Sequence, residues 1–298
     1  MSESNIYKAE QDPVVFKRQG QGKEIWRNFK KDKGAVFGLV LAIIFILVIL
    51  FADFICPYDT AIKQDVMNKL SGPSVEHWFG TDTYGRDVLA RIVHGARTSL
   101  SIAMIATLTS CIFGGGLGAI AGYYGGKIDS LIMRSLDIFM SVPDLLFTMA
   151  VVAALGAGYI NLLIALTLTF FTNYVRLVRS QVLTVAEKEY VEAARAGGAS
   201  DARIIITHII PNSMGVIIVN FTLNIAKIII YEATLSFLGL GMPPPAPEWG
   251  LMLNEARQYM RTDPTLTLFP AAAIVLSGLA INFIGDGLRN ALDPHLKS

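Results

Sequence analysis

Long apolar stretches alternate with shorter polar ones along this chain of 298 residues. A helix that spans a bilayer needs about 20 mostly apolar residues, and six stretches reach that length. The pattern therefore predicts an all-α, polytopic membrane protein with six transmembrane helices. The predicted spans are Ala35–Phe54, Ser99–Tyr123, Leu131–Leu155, Leu162–Val182, Pro211–Leu238 and Leu266–Gly285.

The third predicted span is interrupted by polar residues. Arg134, Asp137 and Asp144 lie within it, and Pro143 removes a backbone donor, which kinks or ends a helix. Such interruptions persist at membrane depth only where they contact protein or water. The apolar part, Leu145–Leu155, is short, so we expect part of this segment to project into the cytoplasm.

Composition places the chain in the membrane class before any motif is considered. Hydrophobic residues make up 53% of it, and its mean hydropathy is +0.49. Only 16% of residues are charged, against about a quarter in soluble domains. The net charge of +1 gives no sign of a nucleic-acid partner, and two cysteines do not form a disulfide framework.

The distribution of Lys and Arg predicts the orientation, because cytoplasmic loops carry the excess. In a six-span arrangement 17 of them fall on the side of the two termini and seven on the other side. We therefore expect a multi-pass protein of a prokaryotic cell membrane with both termini in the cytoplasm. The predicted regions are a basic cytoplasmic arm (1–33), a first transmembrane helix (34–55), an extracytoplasmic segment with an amphipathic helix (56–98), a five-helix core (99–290) and a cytoplasmic tail (291–298).

A polar stretch rich in small residues separates the fourth and fifth predicted spans. Residues 186–199 favour helix except at Gly197 and Gly198, which allow a sharp turn. Ser200 or Asp201 can cap a second short helix, and Pro211 suits the first turn of the fifth span. These signals predict a helix–turn–helix bracket over residues 186–210, at the membrane surface and open to another protein.

The bracket closely resembles the cytoplasmic coupling loop of ABC import permeases. That pattern reads Glu-Ala-Ala, three residues, Gly, nine residues, then Ile-x-Leu-Pro. His208 and Ile210 replace its Ile and Leu, and a His before Ile-Leu-Pro-Asn is usual in the oligopeptide/dipeptide branch of the family. The residues at the pattern's spacing are Glu192, Ala193, Ala194, Gly198 and Pro211.

The resemblance implies that the bracket seats in a groove of a partner ATPase and passes its movement to the spans. Glu192 would meet a basic group there, while Ala193, Ala194 and Gly198 would permit close contact. The alternative is an ordinary amphipathic loop. The chain has no G-x-x-x-x-G-K-[ST] loop, so ATP and Mg²⁺ are expected in partner subunits, and no cofactor or catalytic residue is expected here.

Two further stretches are similar to the same permease branch. Residues 231–250 run from Glu232-Ala-Thr-Leu-Ser-Phe-Leu-Gly-Leu-Gly through a proline-rich turn to Trp249-Gly250. Residues 79–100 nearly repeat the run that precedes the second span in this branch. Apolar positions in 88–93 predict an amphipathic helix at the outer membrane interface, which either helps to receive a cargo-binding protein or only leads into the span.

Lys227 and Glu232 are the candidate residues of a translocation path. An ionisable group within a span costs about 2.5–3.5 kcal/mol on insertion scales, so Lys227 should face protein or water. It either lines the path and meets a cargo carboxylate, or forms an inter-helix pair or snorkels. Glu232 lies five residues on, about 140° around the helix, which makes it a poor partner.

The second span carries Gly114, Gly118 and Gly122 at a spacing of four, which is a small-residue stripe for close helix packing. We expect this stripe to pack within the chain, with packing against a second permease as the alternative.

The resulting hypothesis is a permease subunit of an ATP-driven ABC importer for di- or oligopeptides. The resemblance implies a second homologous permease, one or two ABC ATPase subunits and an extracytoplasmic substrate-binding protein. Nickel, metal chelates or another small solute are alternative cargoes. An ion-coupled secondary transporter using Asp137, Asp144, Glu232 or Lys227 is the alternative mechanism, and a membrane scaffold without cargo is a third class.

Overall fold

The computed structural model describes residues 21–292, so the first 20 residues of the predicted arm and residues 293–298 of the tail lie outside it. The described part is helical and contains no β-strand, only an isolated bridge between Thr81 and Asp87. The helices are α1 (Gln21–Lys31), α2 (Lys33–Leu50), α3 (Ala52–Ile55), α4 (Tyr58–Ile62), α5 (Val88–Tyr124), α6 (Gly126–Met140), α7 (Asp144–Leu155), α8 (Tyr159–Ala186), α9 (Glu189–Ala196), α10 (Asp201–Ile204), α11 (Ile210–Phe237), α12 (Trp249–Ala256) and α13 (Thr265–Leu292).

Five helices are long and apolar enough to cross a membrane: α2, α5, α8, α13 and a continuous helix over residues 201–237. The helices α6 and α7 qualify only as a pair, and they are bent by 83°. The bend falls at residues 141–143, where Pro143 precedes the first turn of α7. The predicted break at Pro143 is confirmed, and the prediction of six spans holds when this bent pair counts as one crossing.

The most extensive helix–helix contact joins α5 and α8, and the predicted glycine stripe forms it. A Cβ atom on Gly114 would lie 2.4 Å from the carbonyl oxygen of Phe171. One on Gly118 would lie 2.4 Å from that of Val175, and one on Gly122 would lie 2.9 Å from that of Arg179. The stripe therefore packs within this chain, as expected, and brings two backbones into contact.

The main core lies between α5, α8 and α11, with α7 packed on α8. Phe170, Leu166 and Ile228 are fully or almost fully buried there. The helix α13 packs against α11 on one side and α2 on the other, while α1 lies against the end of α13. The N-terminal span is therefore attached to the core mainly through α13.

The segment 56–98, predicted to be extracytoplasmic and called the outer segment below, differs from its prediction at its C-terminal end. No separate interfacial helix exists in residues 88–98, because α5 begins at Val88 and continues without a break to Tyr124. The polar residues Arg91 and His94 are buried together with Val93. The periodicity correctly predicts a helix, but these residues form the buried N-terminal end of α5 and not a separate amphipathic helix.

A buried ion cluster explains why these charges lie inside. Arg86 pairs with Asp82 and with Glu255 of α12 at 2.7 Å each, and Arg91 contacts the same two carboxylates at 2.6 and 2.7 Å. Both arginine side chains are only 1% exposed. The two arginines and the two carboxylates neutralise one another, and their attraction compensates for much of the free-energy cost of removing these charges from water. The cluster joins the outer end of α5 to α12, far away in the sequence.

Candidate coupling surface

The bracket forms as predicted, from α9, a glycine turn and α10. Its turn is a Schellman motif, in which the N–H of Ala199 donates to Ala194 O at 3.1 Å and the N–H of Gly198 donates to Arg195 O at 3.0 Å. Gly198 has a φ of +78°, a conformation that L-residues with a Cβ rarely adopt. The glycine at this position thus has a local cause, since the turn that ends α9 requires a residue with positive φ.

The inner face of the bracket is fixed to the ends of the spans. Val191 of α9 and Ile204 of α10 are fully buried. They pack in one apolar cluster with Val182 and Val185 at the end of α8 and with Ala119 of α5. The bracket is therefore part of the bundle's core at this end, and it cannot shift without displacing α5 and α8.

Tyr123 at the end of α5 adds a polar contact to this attachment. Its hydroxyl donates to Asp201 Oδ1 of α10 at 2.8 Å. The guanidinium of Arg195 in α9 lies over the same ring, 5.5 Å from its centroid. One side chain of α5 is thus held by both helices of the bracket.

The face of the bracket that points away from the bundle carries small side chains and is exposed. Glu192, Ala193 and Gly198 are exposed, and a Cβ on Gly198 would meet no atom within 4 Å. Ala194 is half-buried and belongs to the inner cluster. The exposed surface therefore combines one carboxylate with a low profile, which allows a partner's backbone to approach closely.

Pro211 lies in the first turn of α11, as predicted. The helix does not begin afresh there, however, because residues 201–237 form one continuous helix. A π-helical turn over Ile205–Ile209 widens the helix just before it, with the N–H of Ile210 donating to Ile205 O. Proline has no N–H to donate to the preceding turn, and a wider turn accommodates that missing bond. The bracket therefore continues directly into α11.

Lys227 is exposed on α11, on the same face as the exposed side chain of Ile230 three residues later. It forms no ion pair with any residue in the range 21–292. The inter-helix pair that was one alternative is therefore not made inside the described part of this chain. An ammonium group in the middle of a span needs water or a partner protein beside it.

Glu232 is separated from Lys227 and fully buried. Its polar neighbours are Glu248 and Ser99. Neither carboxylate oxygen of Glu232 has a hydrogen-bond partner among the described residues. Glu248 caps α12 by accepting from the N–H groups of Gly250 at 2.5 Å and Leu251 at 2.8 Å. The structure thus places Glu232 in a packed junction between α11 and α12, and the two candidate path residues do not share a surface.

The carboxylates considered for an ion relay are also dispersed. Asp137 pairs with Arg176 of α8 at 2.7 Å, and both side chains are exposed. Asp144 lies in the first turn of α7, at the 83° bend. Sequence reasoning missed the buried cluster of Asp82, Arg86, Arg91 and Glu255, since Glu255 lies 169 residues from Arg86 and 164 from Arg91.

The bundle and its exposed bracket define a polytopic permease. A family model described as the binding-protein-dependent transport system inner membrane component matches residues 114–298. A second model, the N-terminal TM domain of oligopeptide transport permease C, matches residues 20–73. The first match includes the bracket, α11 and α12.

Individual relatives match over nearly the whole chain. The dipeptide transport system permease protein DppC of Alkalihalophilus pseudofirmus is 46% identical over 276 residues, 93% of this chain and 90% of that protein. The glutathione transport system permease protein GsiD of Escherichia coli O157:H7 is 45% identical over 274 residues, 92% of this chain and 90% of that protein. The chain therefore belongs to the family of binding-protein-dependent transport inner membrane components, and it is an ABC importer permease.

A solved structure has the same fold. The inward-facing MetNI methionine ABC transporter matches with a TM-score of 0.58 and 19% identity, over 69% of this chain and 98% of that chain. The likeness supports the arrangement of the helices.

Proposed function

We propose that this chain carries di- or oligopeptides across the membrane as one half of an ATP-driven importer, and that the bracket couples it to a partner ATPase. The observation that carries the coupling role is mechanical. The bracket exposes Glu192 and Ala193 on one side, while Val191 and Ile204 are buried against the spans on the other. A push on the exposed side therefore acts on the bundle itself.

Three connections pass this push on. The helix α9 follows α8 after two residues, and α10 continues through the π-helical turn into α11. Tyr123 ties the bracket to α5 through Asp201 and Arg195. Closure of the ATPases on ATP and Mg²⁺, bound in those partners, would then move α5, α8 and α11 together and switch the path between inward- and outward-open states.

The peptide cargo is proposed from the relatives. Proteins named for dipeptide and glutathione transport are 46% and 45% identical to this chain over more than 90% of its length, and glutathione is itself a small peptide. We further propose that a second homologous permease completes the path, that an extracytoplasmic binding protein delivers the peptide, and that the bracket and both termini are cytoplasmic.

Lys227 is the proposed residue of this chain in the path. Its ammonium group is exposed, unpaired within residues 21–292 and placed in the middle of α11. A peptide's carboxylate is a suitable partner for it in a path shared with the second permease. Uptake of a peptide and of its C-terminally amidated form should then differ less in a Lys227→Met variant than in the wild type. Unchanged discrimination would contradict this role.

The coupling role is tested by co-purifying the ATPase with tagged permease from native membranes. Glu192→Lys reverses the exposed charge, and Ala193→Trp adds bulk without altering the glycine turn. Since opposed like charges at an interface cost several kcal/mol, we expect at least about a tenfold loss of bound ATPase. Glu76→Lys and Gly72→Trp are matched controls, because both positions are exposed in the outer segment.

Either of two results would contradict the coupling proposal. One is normal ATPase recovery and uptake with both bracket variants, and the other is equal loss with the outer controls. The cargo is tested separately, by competition of labelled dipeptide uptake with peptides, glutathione and a nickel chelate. Inhibition by the chelate alone would replace the peptide cargo while leaving the coupling role intact.

A further inference from the structure

The short helix α1 is docked on the end of the bundle, although the sequence placed it in a polar arm. Phe29 is buried against α13, where a Cβ on Gly287 would lie 3.0 Å from its ring. Ile25 packs in the same cluster with Ile284 and Leu288. This apolar side fixes which face of α1 points away from the protein.

The corner between α1 and α2 is also fixed. Asp32 accepts from the N–H groups of Gly34 at 2.9 Å and Ala35 at 3.2 Å, and Asn290 donates to its other oxygen at 3.1 Å. The bond from Ala35 and that from Asn290 hold the pKa of Asp32 below its usual range. Because the spanning helix α2 starts at the next residue, α1 is held where that span meets the membrane surface.

The free side of α1 combines an aromatic ring with a basic arc. Trp26 is 49% exposed, stacks on Phe29, and has the Lys30 ammonium 4.9 Å from its ring centroid. At 3.6 residues per turn, four exposed basic residues occupy an arc of about 100° beside Trp26. They are Lys23, Arg27, Lys30 and Lys31.

We propose that this face of α1 binds anionic phospholipid headgroups. The ammonium and guanidinium groups of the arc would bind the phosphates, while Trp26 lies among the glycerol and upper acyl groups, the depth that amphipathic rings prefer. The charges are complementary to an anionic leaflet, and the docking of Phe29 sets the rotation of the helix before lipid arrives. A lipid contact at this site would hold the N-terminal span and α13 in register at the membrane surface.

Trp26 provides the measurement, because brominated lipids quench only a tryptophan that they contact. The chain has three tryptophans, and Trp249 is fully buried while Trp78 is 70% exposed in the outer segment. The full-length chain carrying Trp78→Phe is placed in nanodiscs with brominated phosphatidylglycerol or brominated phosphatidylcholine. We expect brominated phosphatidylglycerol to quench Trp26 more strongly than brominated phosphatidylcholine does. The unquenched emission of Trp249 reports that the chain is folded.

Charge-neutral variants then test the basic arc. Each basic residue near an anionic surface increases the binding constant for that surface about fivefold. In a Lys23→Gln, Lys30→Gln variant the ratio of the two quenching constants should fall at least about fivefold, and Lys63→Gln, Lys69→Gln should leave it unchanged. Absence of quenching by both lipids would overturn the proposal. So would equal quenching by the two lipids in the wild type, or a preference that survives in the variant.

Discussion

Adding one methyl group to the glycine stripe of α5 should separate two helices that now touch. The perturbation is Gly118→Ala, with Gly116→Ala as its matched control two residues earlier on the same helix. A Cβ at Gly118 would lie 2.4 Å from Val175 O and 3.1 Å from Arg179 N. At Gly116 it would meet no atom within 4 Å, since that position faces outward.

The magnitude follows from what must move. Val175 O and Arg179 N are backbone atoms within α8, so no side chain can rotate away, and the two helices must part by about 1 Å to restore ordinary contact. Overpacking of this kind costs about 1–3 kcal/mol. Both substitutions gain about 1 kcal/mol of helix propensity, so that gain cancels in the comparison. We expect the G118A variant to be less stable than the G116A variant by about 1–3 kcal/mol.

Thermal unfolding of the two purified variants, in one detergent and at one protein concentration, measures this difference. At about 2–4 °C per kcal/mol, the midpoint of the Gly118 variant should lie roughly 2–12 °C below that of the Gly116 variant. Equal midpoints would refute the reasoning, because α5 and α8 would then tolerate a methyl group between their backbones. A lower midpoint for the Gly116 variant would indicate that the other face of α5 is the packed one.

Three further outcomes can be measured, on the purified permease or, for ATPase activity, on the transporter assembled with its ATPases. Glu255→Gln leaves two buried arginines with one carboxylate and should cost about 3 kcal/mol in thermal unfolding, whereas Glu76→Gln at an exposed outer site should change little. Tyr123→Phe removes the hydrogen bond to Asp201 and should lower the free energy of unfolding by about 1 kcal/mol. We also expect lower peptide-stimulated ATPase activity, and unchanged activity would exclude this contact from coupling. Gly198→Asn should be tolerated better than Gly198→Val in permease stability, because asparagine adopts a φ of +78° more readily than a β-branched residue; equal stability would contradict the Schellman turn.

The outer cluster and the bracket suggest how α5 serves transport. Its outer end is tied to α12 through Arg91 and Glu255, and its inner end to the bracket through Tyr123. Between them the helix is unbroken for 37 residues and packs closely on α8. In the proposed coupling, this helix would carry a displacement along its length, because it has no break at which a hinge could absorb it.

The sequence by itself determined the features that depend on neighbours along the chain. Apolar runs of spanning length located the long helices, Pro143 marked the break between α6 and α7, and the spacing of Gly114, Gly118 and Gly122 indicated a close helix contact. The glycine turn of the bracket was likewise visible, because a left-handed residue after a helix is a local requirement. Each of these follows from helix geometry or a missing backbone donor.

Only the tertiary structure decided where the charges lie. Arg91 is buried between Asp82 and Glu255, and Glu255 comes from another helix, 164 residues away. Glu232 is enclosed at the junction with α12, whereas Lys227 on the same helix is exposed. A charge can be buried when distant residues supply its counter-charge, and periodicity within one helix does not record which helices will supply it.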